Sequence, residues 1–507
     1  MALLLALCVA AATPAAGQSS RGELRLRVVD AETKQPIAAR MHLLDSRNRS
    51  VQPPGTVFWR DHFCIDGELT LKVRPGTYRF EMERGPEYTT MSGHFQIDRT
   101  SSGEQTIELP RYVDMSKSGW WSGELHVHRD PEQIELLMRA DDLHVAPVIT
   151  WWNANGNNRS SPRRSAEVVR FDGDRFYRAM AGEDERAGGA LLYFNLDQPL
   201  DLSTAGRNYP SALHFLQLAR QQADVHVDVE KPFWWDVPVW LASGQVDSIG
   251  LVNNHMWRSE MLDNEAWGRP RDKEAYPSPH GNGRWSQDIY YHVLDCGLRI
   301  PPSAGSASGV HPNPVGYNRV YVYCGEQLDY QQWWEGLRAG RVVVTNGPLL
   351  VPQVEGHPPG HVFQARSGEQ LELQVGLSLH TREKIAYLEI VKNGRVAAEV
   401  RLDQFAASGG RLPPVTFDES GWFLVRAVTE NEKTYRLAST GPYYVEFDGK
   451  PRVSRTSAQF FVDWIDQRIA SIELDELDDP AQKEALVAEQ RRAREFWQQL
   501  ASTANAQ

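Results

Sequence analysis

A change of hydrophobic period along the chain constrains this sequence most. Between residues 113 and 350, short apolar runs alternate with helical patterns. Asp130-Pro131 supplies a helix start, since Asp caps and Pro is tolerated at the first helical position. Ile134, Leu137, Met138 and Leu143 follow at near-helical spacing, and Val145 to Trp152 then reads as an apolar strand. Ala212–Gln222 (helix) leads into Val225–Val229 (strand), and Val237–Ser243 (helix) into Ser248–Asn253 (strand). Such alternation predicts parallel strands joined by helices. Met261 to Ser286 reads as a loop-rich insertion.

The flanks follow a period of two instead. Leu24, Leu26 and Val28 alternate with charged residues, as do Leu69, Leu71 and Val73, and Arg74-Pro75-Gly76 supplies a turn. Residues 18–112 therefore predict a small β-sandwich, and the pattern resembles carboxypeptidase-regulatory-like modules. Residues 351–450 predict a second β-sandwich, with Leu371, Leu373 and Val375 alternating and Asn393-Gly394 marking a hairpin. Residues 451–507 form a predicted helical tail, rich in Ala, Glu, Gln and Arg from about Pro480 to Leu500. A chain of 507 residues is too long for one ordinary core, which agrees with several units.

Composition narrows the partners. A net charge of -12 excludes a general nucleic-acid binder, because phosphate requires a basic face. Residues 1–17 read as a signal peptide: Ala2 to Ala12 is apolar but too short to span a bilayer, and Ala15-Ala16-Gly17 offers small residues for cleavage. No other stretch is apolar enough to cross a membrane, so a periplasmic or secreted protein is expected. Cys64, Cys296 and Cys324 have no CxxC spacing, which disfavours a thiolate zinc site; a Cys296–Cys324 disulfide and three free thiols both stay open.

The sharpest chemical signal is Gly123-Glu124-Leu125-His126-Val127-His128. On an extended segment, alternate side chains share a face, so His126 and His128 can grip one ion. A helix start follows at once, as in a βα loop.

The stretch Trp121 to Arg129 resembles the first motif of PHP-domain (polymerase and histidinol phosphatase) proteins, in the carbaryl-hydrolase-like branch. Gly336-Leu337-Arg338-Ala339-Gly340-Arg341 through Gly347-Pro348 resembles the segment that closes the catalytic domain there. The resemblance implies a distorted β/α barrel over residues 113–350, flanked by β-sandwiches. It also implies hydrolysis of phosphoesters, carbamates or related esters, with one to three divalent metals (zinc, manganese or iron). His126 and His128 match the first ligand pair, and Glu183 the acidic ligand. Three other motifs depart from the family: Thr150-Trp151-Trp152-Asn153 lacks its Asp and His, Lys231-Pro232 stands for His-Pro, and Gly305-Ser306-Ala307-Ser308-Gly309 lacks Asp and His. One divalent ion, rather than three, is the expectation.

The completing ligand is open between His255, which ends an apolar strand, and His226 or Asp228, with His255 preferred; His311 is a loop candidate. Lys231 and Arg258 are candidates to hold an anionic group or move a proton, and Lys231 could equally pair with Glu230 or Asp236. Trp151, Trp152, Trp234, Trp235, Asn254 and Arg319 are candidate substrate contacts, with core packing the competing role for each Trp. A small molecule or carbohydrate is the expected substrate. A metal-free binding protein, and a metal-free carbohydrate-active enzyme using Lys231 and carboxylates, are the competing functions.

Overall fold

The computed structural model describes residues 22–99, 102–154, 157–160, 164–472, 477 and 479–507. The expected signal peptide lies outside the described residues. The protein is a mixed α/β molecule in which strands dominate.

Eight N-terminal strands form one sheet, edged by Met91–Ile97 and Ser102–Leu109. The period-two pattern is the reason: Leu26, Val28, Met41, Leu43, Phe63 and Leu71 all point to one core and are fully buried. The first and last strands, Gly22–Asp30 and Ser102–Leu109, pair in parallel.

In the central region Val145–Ala154 pairs in parallel with Arg175–Arg186, which pairs antiparallel with Gly189–Phe194. Gly189–Phe194 then pairs antiparallel with His226–Val229, which continues in parallel to Ser248–Val252 and on to Pro302–Ala304. The helices Ala212–Ala219 and Val237–Ala242 lie where the apolar periodicity predicts them. The insertion is shorter than expected, because a helix already begins at Gly281 and runs to Asp295.

The segment Glu124–His128 departs from the expected strand. The regular strand is Trp120–Gly123, and Val127 makes isolated bridges to Val148 on one side and Ser308 on the other. Its backbone is nonetheless paired on both flanks: Leu125 N donates to Ala304 O at 3.0 Å, His128 N to Ser308 O at 2.8 Å, and Ile149 N to Val127 O at 2.8 Å. Alternation of side chains survives because the segment is extended between two neighbours.

Two features cross the expected unit boundaries. Val342–Thr345 pairs with Leu437–Thr440, so the C-terminal strands are hydrogen-bonded into the sheet that precedes them. The expected tail is a pair of helices, Arg455–Ser471 and Pro480–Ser502, packed on the central region. Phe461 and Trp497 stack at 4.4 Å, and Trp497 Nε1 donates to Pro238 O at 3.0 Å. Cys64, Cys296 and Cys324 are free thiols.

Candidate metal centre

His126, His128 and Glu183 meet in the interior. Their ligand atoms all lie within 4.8 Å of one another. His126 Nε2 is 3.0 Å from His128 Nε2 and 3.4 Å from Glu183 Oε2, and His128 Nε2 is 2.9 Å from that same oxygen. Three atoms each bound at 2.0–2.1 Å to one zinc-sized ion would stand roughly 2.9–3.3 Å apart. The extended 124–128 segment delivers the two imidazoles, and the neighbouring strand Arg175–Arg186 delivers Glu183.

The donor set favours positive charge. Glu230 Oε1 lies 3.4 Å from His126 Nδ1, the nitrogen that faces away from the cluster. Burial alone would depress His126, yet Glu183 and Glu230 override it and raise its pKa to about 10. Burial would raise Glu183, but the two imidazoles hold it well below the usual carboxylate range. A centre that stabilises a proton so strongly when no ion is present suits a divalent cation. The residues therefore fit a single metal with two His and one carboxylate.

Sequence reasoning did not single out three surrounding groups. Glu230, named above as a possible partner of Lys231, also stands behind His126. Glu185 lies on the same strand as Glu183. It accepts a hydrogen bond from Trp152 Nε1 at 2.9 Å, and burial together with the Glu183 charge lifts its pKa to about 8. Its position two residues beyond Glu183 on one strand was the available signal. Glu124 is fully buried, accepts from Ser306 N at 2.5 Å and from Gly316 N, and is pushed up to about 7 by burial. It ties the 306–316 loop beside the His pair.

Other expected site residues have different surroundings. His255 lies outside the three-residue cluster: its Nδ1 faces Asn264 O at 2.9 Å and its ring packs on Phe233. Its depressed pKa follows from burial and the Lys231 charge. His226 Nε2 faces Ser248 Oγ at 2.8 Å, and Asp228 accepts from the Ser248 and Ser303 hydroxyls. Arg258, a candidate to hold an anionic group or move a proton, is engaged by Glu81 and Glu83 of the N-terminal sheet. Lys231 pairs with Glu230 and sits 4.6 Å over the Trp234 ring, the ion-pair alternative named above.

Among the aromatic candidates, Trp152 lies 5.1 Å from the His128 ring. Trp151 is core: it stacks on Tyr193, and a Cβ at Gly182 would overlap its ring. Trp234 is buried and donates to Glu230 Oε2 at 2.9 Å, while Trp235 is half-buried against the core. Asn254 is buried, with Oδ1 unpaired among the described residues. Arg319, a candidate substrate contact, is buried and donates to the carbonyls of Gly316 and Asp141. The half-buried His311 ring lies 5.5 Å from Trp257.

No protein-family model matches the chain, and no curated protein matches it. Two chains of solved structures match. One is the Bacillus anthracis TIE protein, at 18% identity over 22% of this chain, with a TM-score of 0.15. The match spans only 20% of that protein's chain and carries no argument about fold or activity.

Proposed function

We propose that this chain is an exported, PHP-like metal-dependent hydrolase acting on an ester, phosphoester or carbamate-type bond of a small molecule or carbohydrate. The observation that carries the reading is the convergence of His126, His128 and Glu183 within 4.8 Å. The ring of pairings from Val145–Ala154 round to Pro302–Ala304, bridged by Val127 on both sides, supports a distorted barrel of the PHP type. His126, His128 and Glu183 would hold one zinc, manganese or iron ion. Such an ion lowers the pKa of bound water and polarises a scissile bond.

The chain's own groups supply the rest. Glu230 orients His126 through its second nitrogen and is itself neutralised by Lys231. Glu185, half-buried and raised above the usual carboxylate range by burial and then by the Glu183 charge, would give a proton to a leaving group. Trp152 holds that carboxyl by its indole N–H and lies beside His128.

Protein produced with zinc, manganese and iron should retain one of them and hydrolyse a member of an ester, phosphoester and carbamate panel. Replacing both His126→Ala and His128→Ala should remove one equivalent of metal together with the hydrolysis. Metal-free wild type, or turnover indifferent to the double replacement, would overturn the proposal.

A further inference from the structure

A second cluster of ligand-type side chains lies in the N-terminal sheet, outside the centre described above. His42, on the strand Ala38–Leu44, stands directly opposite His62, on the strand His62–Asp66. Asp61 sits in the two-residue connection between Val57–Trp59 and His62–Asp66, where Arg60 takes a positive φ of 52°. The tight connection folds the Asp61 carboxylate back over both rings. Its Oδ1 lies 2.8 Å from His62 Nδ1, and its Oδ2 lies 3.3 Å from His42 Nδ1.

We infer that His42, Asp61 and His62 form a second site for one divalent transition-metal ion of the zinc class. The two carboxylate–imidazole separations are close to the roughly 2.9–3.3 Å expected between donors sharing one such ion, and all three donor atoms fall within 4.8 Å of one another. Two imidazoles and a carboxylate are the donor types zinc accepts. Both imidazoles are buried, so their geometry is fixed by packing, whereas the Asp61 side chain is 47% exposed and faces a groove open to solvent. That groove gives an ion a route in and a place for a water or a fourth ligand. His42 Nε2 is buried with no hydrogen-bond partner, and Glu81 and Glu83 come within 4.8 Å of a His42 ring nitrogen. The nearby Arg40 and Arg258 would oppose a cation, but each is already matched, by Glu83 and Asp141 and by Glu81 and Glu83.

The position gives the site a use. Trp59, next to the connection, donates from Nε1 to His311 O at 2.7 Å, and Arg129 lies over its ring. Fixing Asp61 to both strands stiffens the hairpin that holds the His311 loop and the residue following His128.

The test uses the full chain carrying His126→Ala and His128→Ala, so that its outcome is separate from the hydrolase proposal. After chelation, zinc titrated in competition with a chromogenic chelator should bind at one equivalent and raise the melting temperature. Adding Asp61→Asn, a nearly isosteric change at a half-exposed position, should weaken binding by more than about tenfold and abolish the thermal shift. A variant melting like its parent without zinc serves as the folding control, and His62→Gln provides a second reading. No zinc bound at micromolar ion, or equal affinity with and without Asp61→Asn, would overturn the inference.

Discussion

Glu183 and Glu185 are two residues apart on one strand, yet their environments drive them in opposite directions. Glu183 is fixed in the charged form by two imidazoles; Glu185 has the Glu183 charge beside it and a partly buried carboxyl, and is lifted to about 8. Splitting two neighbouring carboxyls into a permanent anion and a proton carrier is a recurring way to assign acid and ligand roles. The sign of the pH effect follows. Without an ion Glu185 carries its proton below about 8 and loses it above; a cation on Glu183 offsets part of the charge that raises it, so a rate that needs the protonated form should fall as pH rises toward that value. Glu185→Gln should leave metal content intact, lower kcat by about 10²- to 10⁴-fold, and remove the alkaline limb from the kcat/KM profile. A variant with full activity would assign Glu185 a purely structural role.

At the scale of elements, the site depends on how closely two segments approach. A Cβ at Gly305 would stand 2.4 Å from His126 Cβ, and one at Gly309, whose φ is +101°, would stand 2.6 Å from His128 O. The Gly305–Gly309 run is thus the wall against which the His pair is set. Gly305→Ala should push the 124–128 segment away, cost about 1–3 kcal/mol, and reduce metal occupancy in proportion. Chelator-competed metal binding and an unfolding midpoint would check it. The same approach explains why a strand was expected at Glu124–His128 and irregular backbone is found. Alternating apolar and polar residues predict an extended chain, but Val127 is bridged on one side by Val148 and on the other by Ser308, far away in sequence, which local pattern does not register.

At the scale of the whole molecule, the N-terminal sheet is fastened to the central region by buried charge. Asp142 is 3% exposed and receives Arg84 at 3.0 Å, Arg111 at 2.8 Å and Arg175 at 2.5 Å. Arg40 joins Glu83 of its own sheet to Asp141 across the junction. Removing one member of such a network leaves the others charged and unpaired. Asp142→Asn keeps the shape, tolerates the positive φ of 50°, and should destabilise the protein by about 3–5 kcal/mol. Glu104→Gln, at the exposed 4.0 Å pair with Arg25, should leave the unfolding midpoint unchanged.

The sequence by itself determined most of the element types and which residues of the central region are candidate ligands. Period two marked the flanking strands, near-helical spacing marked Ala212–Ala219 and Val237–Ala242, and His126 and His128 were legible because alternation puts them on one face. The tertiary structure alone decided which groups act together. Glu230 meets His126, Arg258 turns to the N-terminal sheet, and the last two helices join the central core, all through contacts between residues distant in the chain. Periodicity records which face of an element is apolar; it holds no information on which other element that face will meet.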